Sequence, residues 1–150
     1  MRNTVRARIY AALKANVQNL PVVARVISGA DLDESLTVPE GRVVAQIVLG
    51  ADSPTTPRPN VEAFELPVLL IAYLPKVMPL GADDEEFSAD VCGDLYTAWW
   101  SSGNILGGLA ADGEVDSFCA GVADVGGVRM TIHAFTLKYR FEAGNPTGET

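Results

Sequence analysis

Residues 61–74 (VEAFELPVLLIAYL) place Phe64, Leu66, Val68, Leu70 and Ala72 at every second position, the period of an extended strand. Fourteen residues is long against a usual strand of about 5–6. At about 3.3 Å per residue the run reaches roughly 45 Å, more than a compact domain of this size comfortably covers. Pro67 removes a ladder donor, so it requires an edge position or a bulge. Two outcomes stay open: the strand bends at Pro67, or one of its ends projects.

The elements around this strand follow from the same periodicity argument. Val5, Ile9, Leu13 and Val17 recur every four residues, with Ala12 beside them, and predict an amphipathic helix over about 4–18. Asn3 or Thr4 can cap it, and Leu20-Pro21 stops it. A β-rich run, 22–27, ends at Gly29. Residues 30–41 form a polar, acidic loop closed by Pro39 and Gly41. In 43–49 both parities are apolar, so this strand is covered on both faces or lies at a contact. The prolines 54, 57 and 59 make 53–60 a stiff, exposed loop. Asp83-Asp84-Glu85-Glu86 lead into a second helix with Phe87, Val91, Leu95 and Trp99 on one stripe, Cys92 and Ala98 flanking, and an end at 101–103. Trp100 then points away from that stripe, either under the following loop or as an interface anchor. A loop covers Gly107-Gly108 and Asp112-Gly113. Residues 118–124 and 128–141 flank Val125-Gly126-Gly127, where paired glycines suit the positive φ angles of a tight hairpin. The second arm carries Met130, Ile132 and Ala134 on one face and Phe135, Leu137, Tyr139 and Phe141 on the other. A short flexible tail follows from about residue 143. The order predicts one domain over 1–150, of α+β class, with a mostly antiparallel β-sheet, two α-helices packed on one face and a C-terminal β-hairpin.

Chemistry is sparse along the chain. The formal charge of -8, from 19 acidic and 11 basic residues, argues against a nucleic-acid binder, which needs a basic footprint, and against adhesion to an anionic membrane. An acidic wall that lets DNA slide past remains compatible with it. No apolar run approaches the ~20 residues of a membrane span, and no targeting peptide is read at the start. The lone His133 reads as a structural or surface residue. No serine stands in a nucleophile elbow and no phosphate-binding glycine loop is present. Residues 83–86 read as helix-capping acids and Asp112, Glu114 and Asp116 as a solvated turn, neither completing a calcium loop. Cys92 and Cys119 read as small core residues rather than a disulfide. No catalytic, metal or cofactor residues are therefore assigned.

Three stretches resemble the tail terminator (tail-completion) proteins of long-tailed bacteriophages. They are VRARIYAALKANV (5–17), the strand VEAFELPVLLIAY (61–73) leading to FSADVCGDLYTAWW (87–100), and TLKYRFEAGNP (136–146). The resemblance extends over nearly the whole chain. It implies a virion protein made in the host cytoplasm, a homo-oligomeric ring typically of six subunits that caps the tail tube protein, stops its growth and offers a surface to the head-tail connector or neck protein. DNA would pass through without specific binding, no membrane would be involved, and no catalysis is implied. A neck adaptor or a tube subunit of the same particle would share this form, and a cytoplasmic enzyme or small-molecule binder is the reading from another class, with a pocket expected near His133 or 112–116. For ring contacts, which are head-to-tail and close by rotation, the candidate residues are Val44, Gln46, Val48, Pro54, Pro57, Arg58, Pro59, Phe64, Leu66 and Trp100.

Overall fold

The computed structural model describes residues 4–28, 36–55, 58–79, 81–101 and 104–148. Helix α1 (Val5–Gln18) is followed by strands β1 (Val23–Ile27), β2 (Val43–Leu49), β3 (Ser53–Pro54) and β4 (Val61–Tyr73). Helix α2 (Asp84–Thr97) then leads to β5 (Trp100–Ser101), β6 (Asn104–Ile105), β7 (Asp112–Ser117), β8 (Ala123–Val125) and β9 (Val128–Glu142). The main sheet has the order β1-β2-β4-β9-β7, with β3 also pairing β4 and β8 also pairing β9. Its pairs are antiparallel except β1 with β2. Both helices cover one face, so the α+β architecture read from the sequence holds. Ile9, Leu13 and Val17 of α1 and Val91 and Leu95 of α2 share one core with Leu66, Val68, Leu70, Phe135 and Leu137 of the sheet.

The long strand neither breaks nor loses register. β4 pairs with β9 from Val61↔Glu142 to Tyr73↔Met130 without a shift. Pro67 is accommodated on the other side, where β2 ends with Leu49 opposite Val68 and β3 begins with Ser53 opposite Glu65. Between those pairs the neighbouring chain carries one surplus residue, and the Gly50 N–H donates to the Pro67 carbonyl at 2.8 Å. A residue's N–H and C=O point the same way in an antiparallel ladder, so the donor that Pro67 lacks would have met this bulge. The expected bulge exists, but in the partner strand.

The helix starts follow their side chains. Thr4 Oγ1 accepts from the Ala7 N–H at 3.1 Å, and Asp83 Oδ1 from the Glu86 N–H at 2.8 Å. Asp84, Glu85 and Glu86 occupy the first turn of α2, where the helix dipole favours carboxylates.

Two local expectations are corrected. Helix α2 ends at Thr97 rather than at 101–103: its last turn tightens into bonds from Ala98 N–H to the Leu95 carbonyl and from Trp99 N–H to the Tyr96 carbonyl. Trp99 then enters the core while Trp100 pairs with Ile105 in a two-stranded ribbon. Residues 112–117 are strand β7 on the edge of β9, not a solvated turn; the backbone of β9 supplies partners that no local pattern announces. The segment from about 143, read as a short flexible tail, meets the start of α1 at two points. Val5 N–H donates to the Pro146 carbonyl at 2.9 Å, and the Arg8 guanidinium donates to the Thr147 carbonyl, which satisfies a donor at the start of α1.

His133 is fully buried and its tautomer is fixed by its neighbours. The Trp99 indole N–H, which can only donate, reaches His133 Nε2 at 2.9 Å. Nδ1 therefore carries the proton and donates to the Phe118 carbonyl at 2.8 Å. Burial holds the imidazole below its ordinary value of 6.5, only partly offset by the Phe118 carbonyl. Because the folded value is depressed, the stabilisation is complete above the ordinary value and is lost as pH falls below it, where the unfolded chain takes up a proton the native ring resists. Urea titrations of the wild type should accordingly show a loss of stability as pH falls below 6.5 that is absent in His133→Gln. Parallel profiles for the two proteins would refute this.

Candidate interface on the open face of the sheet

Residues directly paired across a sheet share a face. The pairs Ala45↔Ala72, Ile47↔Leu70 and Val68↔Phe135 point to the helices. The opposite face is therefore built from Val44↔Tyr73, Gln46↔Ile71 and Val48↔Leu69, continued into β9 by Ile71↔Ile132 and Leu69↔Ala134. Both faces are apolar because these strands carry apolar residues at both parities. Two apolar faces cannot both be covered by two helices that lie on one side.

The chain itself covers one end of this second face. Ile27, Val44 and Tyr73 form a small buried cluster, with Leu36, Val38, Ile71 and Met130 against it. Gln46 lies in the same region, and the Tyr73 hydroxyl donates to its Oε1 at 2.6 Å, so its buried amide oxygen is satisfied. Farther along, Val48, Leu69, Ile132 and Ala134 have no such cover among the described residues, and Leu69 is 37% exposed. Beyond them the face turns charged. Glu65, Lys138, Arg140, Asp112 and Arg58 line a shallow pocket of about 380 Å³. An apolar centre with a charged rim is the anatomy of a protein–protein interface.

A second apolar surface lies at the opposite end of β9. Gly126 and Gly127, with φ of 61° and 83°, turn the β8–β9 hairpin at its tip. That tip reaches past the last β4–β9 pair, Tyr73 with Met130. Val125 there is 63% exposed and Val128 is also exposed. A cleft of about 800 Å³ lies beside it, lined by Val38, Tyr73, Val77 and Val128 among others.

The ten residues singled out from sequence divide unevenly over these surfaces. Val48 joins the open face, and Arg58 its charged rim. Val44, Gln46 and Leu66 are instead buried inside the chain: Val44 in the cluster with Leu36 and Val38, Gln46 on the Tyr73 hydroxyl, and Leu66 in the core shared with the helices. They have no surface to offer a partner. Phe64 sits on the helix side, half-buried, stacked on Tyr139 at 5.5 Å and Phe141 at 5.6 Å. Pro54 and Pro59 are exposed at the β3 edge and the following turn. The loop 53–60 is thus partly a short edge strand, and Pro57 lies outside the described residues, as does the first half of the 30–41 loop. Trp100 is half-buried against Trp99, ring centroids 6.3 Å apart. Leu69 and Ile71 are signalled by apolar residues at both parities of 66–73, and Ile132 and Ala134 by the second apolar parity of 128–141.

Elsewhere the polar groups are occupied or dispersed. Both ring nitrogens of His133 are engaged, which leaves no lone pair for a substrate. Asp112, Glu114 and Asp116 spread along the exposed edge of β7, where Asp116 Oδ2 accepts from the Thr136 hydroxyl at 2.7 Å. Among the described residues, no three His, Cys, Asp or Glu side chains cluster as metal ligands. No protein-family model matches this chain, and no curated protein matches it in sequence.

Proposed function

We propose that this protein is a self-assembling structural subunit, and that the assembly is a closed ring of the tail-terminator kind, set on the end of a phage tail tube. The observation that carries the reading is the open apolar face around Val48, Leu69, Ile132 and Ala134, bordered by a charged rim. Such a patch on a lone subunit would sit in water at a cost of about 25 cal/mol per Å², which a partner removes. Ring closure needs two unlike surfaces that fit each other. The open face and the projecting Val125–Val128 tip are unlike and lie apart on β9. The resemblance of residues 5–17, 61–73, 87–100 and 136–146 to tail terminators supplies the identity of the ring, and the charge of -8 suits a channel through which DNA slides.

Light scattering across a concentration series tests this. The expected result is one discrete oligomer, either in solution or on purified tail tubes. Leu69→Asp should shift that oligomer to monomer, by at least tenfold in dissociation constant, while far-UV circular dichroism stays unchanged, because Leu69 already faces solvent in the lone subunit. Open-ended growth would identify a tube protein instead. A monomer inert towards tubes would overturn the reading.

A further inference from the structure

Helix α2 and the irregular stretch between β7 and β8 bring two thiols and two hydroxyls together. Ser117 pairs with Ala134 and Ala123 with Met130, so residues 118–122 face only 131–133 and bulge outward. Cys119 lies in that bulge, while Ser88 and Cys92 stand one turn apart on α2. Thr131 of β9 connects them. The Ser88 hydroxyl donates to Thr131 Oγ1 at 2.7 Å, and Cys119 Sγ lies 3.3 Å from Ser88 Oγ and 3.5 Å from Thr131 Oγ1. Cys92 Sγ lies 3.6 Å from the same Thr131 oxygen. Both cysteines are free; Ser88, Cys92 and Thr131 are fully buried, whereas Cys119 is partly exposed.

We propose that Cys119 is a hydroperoxide-oxidisable thiol and that Cys92 resolves it, closing a disulfide between α2 and the β7–β8 bulge. In the first step the Cys119 thiolate attacks one peroxide oxygen. An S–O bond forms, the O–O bond breaks, and the departing hydroxide or alkoxide takes up a proton. Cys119 is thereby oxidised by two electrons to the sulfenic acid and the peroxide is reduced. In the second step the Cys92 sulfur attacks the Cys119 sulfur. The S–S bond forms, the S–O bond breaks, and the hydroxide leaves as water with the Cys92 proton.

The surroundings fix which thiol acts first. Burial pushes the Cys119 thiol up, but hydrogen bonding with Ser88, Thr131 and the Gly121 backbone outweighs it, and the net effect is below the ordinary thiol value. Burial pushes the Cys92 thiol up to about 12. The exposed sulfur is thus the one with thiolate character, the combination that marks an oxidisable cysteine. The buried sulfur beside it can reach only a neighbour already inside the fold.

The test treats the reduced, folded full-length chain with hydrogen peroxide, quenches with an alkylating reagent and maps the cysteines by mass spectrometry. The expected product has the mass of a single chain less two hydrogens and joins the Cys92 and Cys119 peptides within that chain. Cys92→Ala should stop at a sulfenic acid on Cys119 that dimedone traps, and Cys119→Ala should leave Cys92 unoxidised. Thr131→Val should slow the first step roughly tenfold, the loss of one hydrogen bond to a charged sulfur, because Thr131 Oγ1 accepts from Ser88 and its own proton is free for Cys119 Sγ. Wild-type protein whose Cys119 proceeds to the sulfinic acid without a link would overturn the proposal. So would linkage only between chains, or reactivity equal to that of the urea-unfolded chain.

Discussion

Trp99→Ala is expected to lower the unfolding free energy by about 3–5 kcal/mol, the range for emptying a large buried aromatic site. Trp99 is 2% exposed and stacks on Phe135 with centroids 4.4 Å apart and planes 10° from parallel. Tyr96 meets the same indole edge-on at 5.2 Å. The indole joins α2, the β5–β6 ribbon and the sheet, so the surrounding groups cannot collapse into the space without moving whole elements. Its N–H also satisfies His133 Nε2, and an acceptor left unpaired in the core costs about 1–3 kcal/mol. The two contributions separate experimentally. Trp99→Phe keeps most of the ring volume, so its cost should come mainly from the orphaned imidazole and fall to about 1–3 kcal/mol. Urea denaturation of the three proteins reads this directly, and a Trp99→Ala loss under about 1 kcal/mol would mean that Trp99 is not the keystone of this core.

Gly113→Ala should destabilise by about 1–3 kcal/mol, the usual range for overfilling a packed interior. A Cβ at residue 113 would lie 2.6 Å from Trp99 Cζ3 and 3.2 Å from both Ile105 Cδ1 and Leu137 Cδ2. Gly113 pairs with Leu137 on the helix side of the sheet, so its missing side chain is the space the indole occupies. The Phe135 stack prevents Trp99 from withdrawing cheaply. Coupling between the two sites is the sharper measurement. In the Trp99→Ala background the clash is gone, so adding Gly113→Ala should cost nothing or recover stability, and a double-mutant cycle should return a coupling of about 1–3 kcal/mol. Equal costs in both backgrounds would rule out the indole as the reason for glycine here.

Much of the fold was legible in residue spacing. The four-residue recurrence of Val5, Ile9, Leu13 and Val17 named the buried stripe of α1 residue by residue. In β9 the division between Ile132 and Ala134 on one face and Phe135, Leu137 and Tyr139 on the other matches the sheet. Gly126 and Gly127 have the positive φ angles their hairpin required. Each of these is a local matter: a helix or strand fixes where successive side chains point, so an apolar period reveals a buried side. The candidate interface was only half legible. Apolar residues at both parities of 43–49 announced a strand covered on both faces or lying at a contact, but spacing carries no information about which face receives the helices.

That choice belonged to the tertiary structure, because it depends on elements far apart in the chain. The same two-faced strand β2 supplies Ala45 and Ile47 to the main core, Val44 to a small cluster with Leu36 and Val38, and Val48 to the open surface. Asp112–Ser117 reads as a turn in isolation and becomes a strand because β9 has an unpaired edge beside it. Cys92, Cys119, Ser88 and Thr131 are unremarkable where they stand in sequence, and only the bulge at 118–122 brings them within reach of one another. Local pattern determined the identity of the elements and their apolar sides, since these follow from backbone geometry alone. Long-range pairing decided which of those sides remained uncovered, since burial is settled by what arrives from elsewhere in the chain.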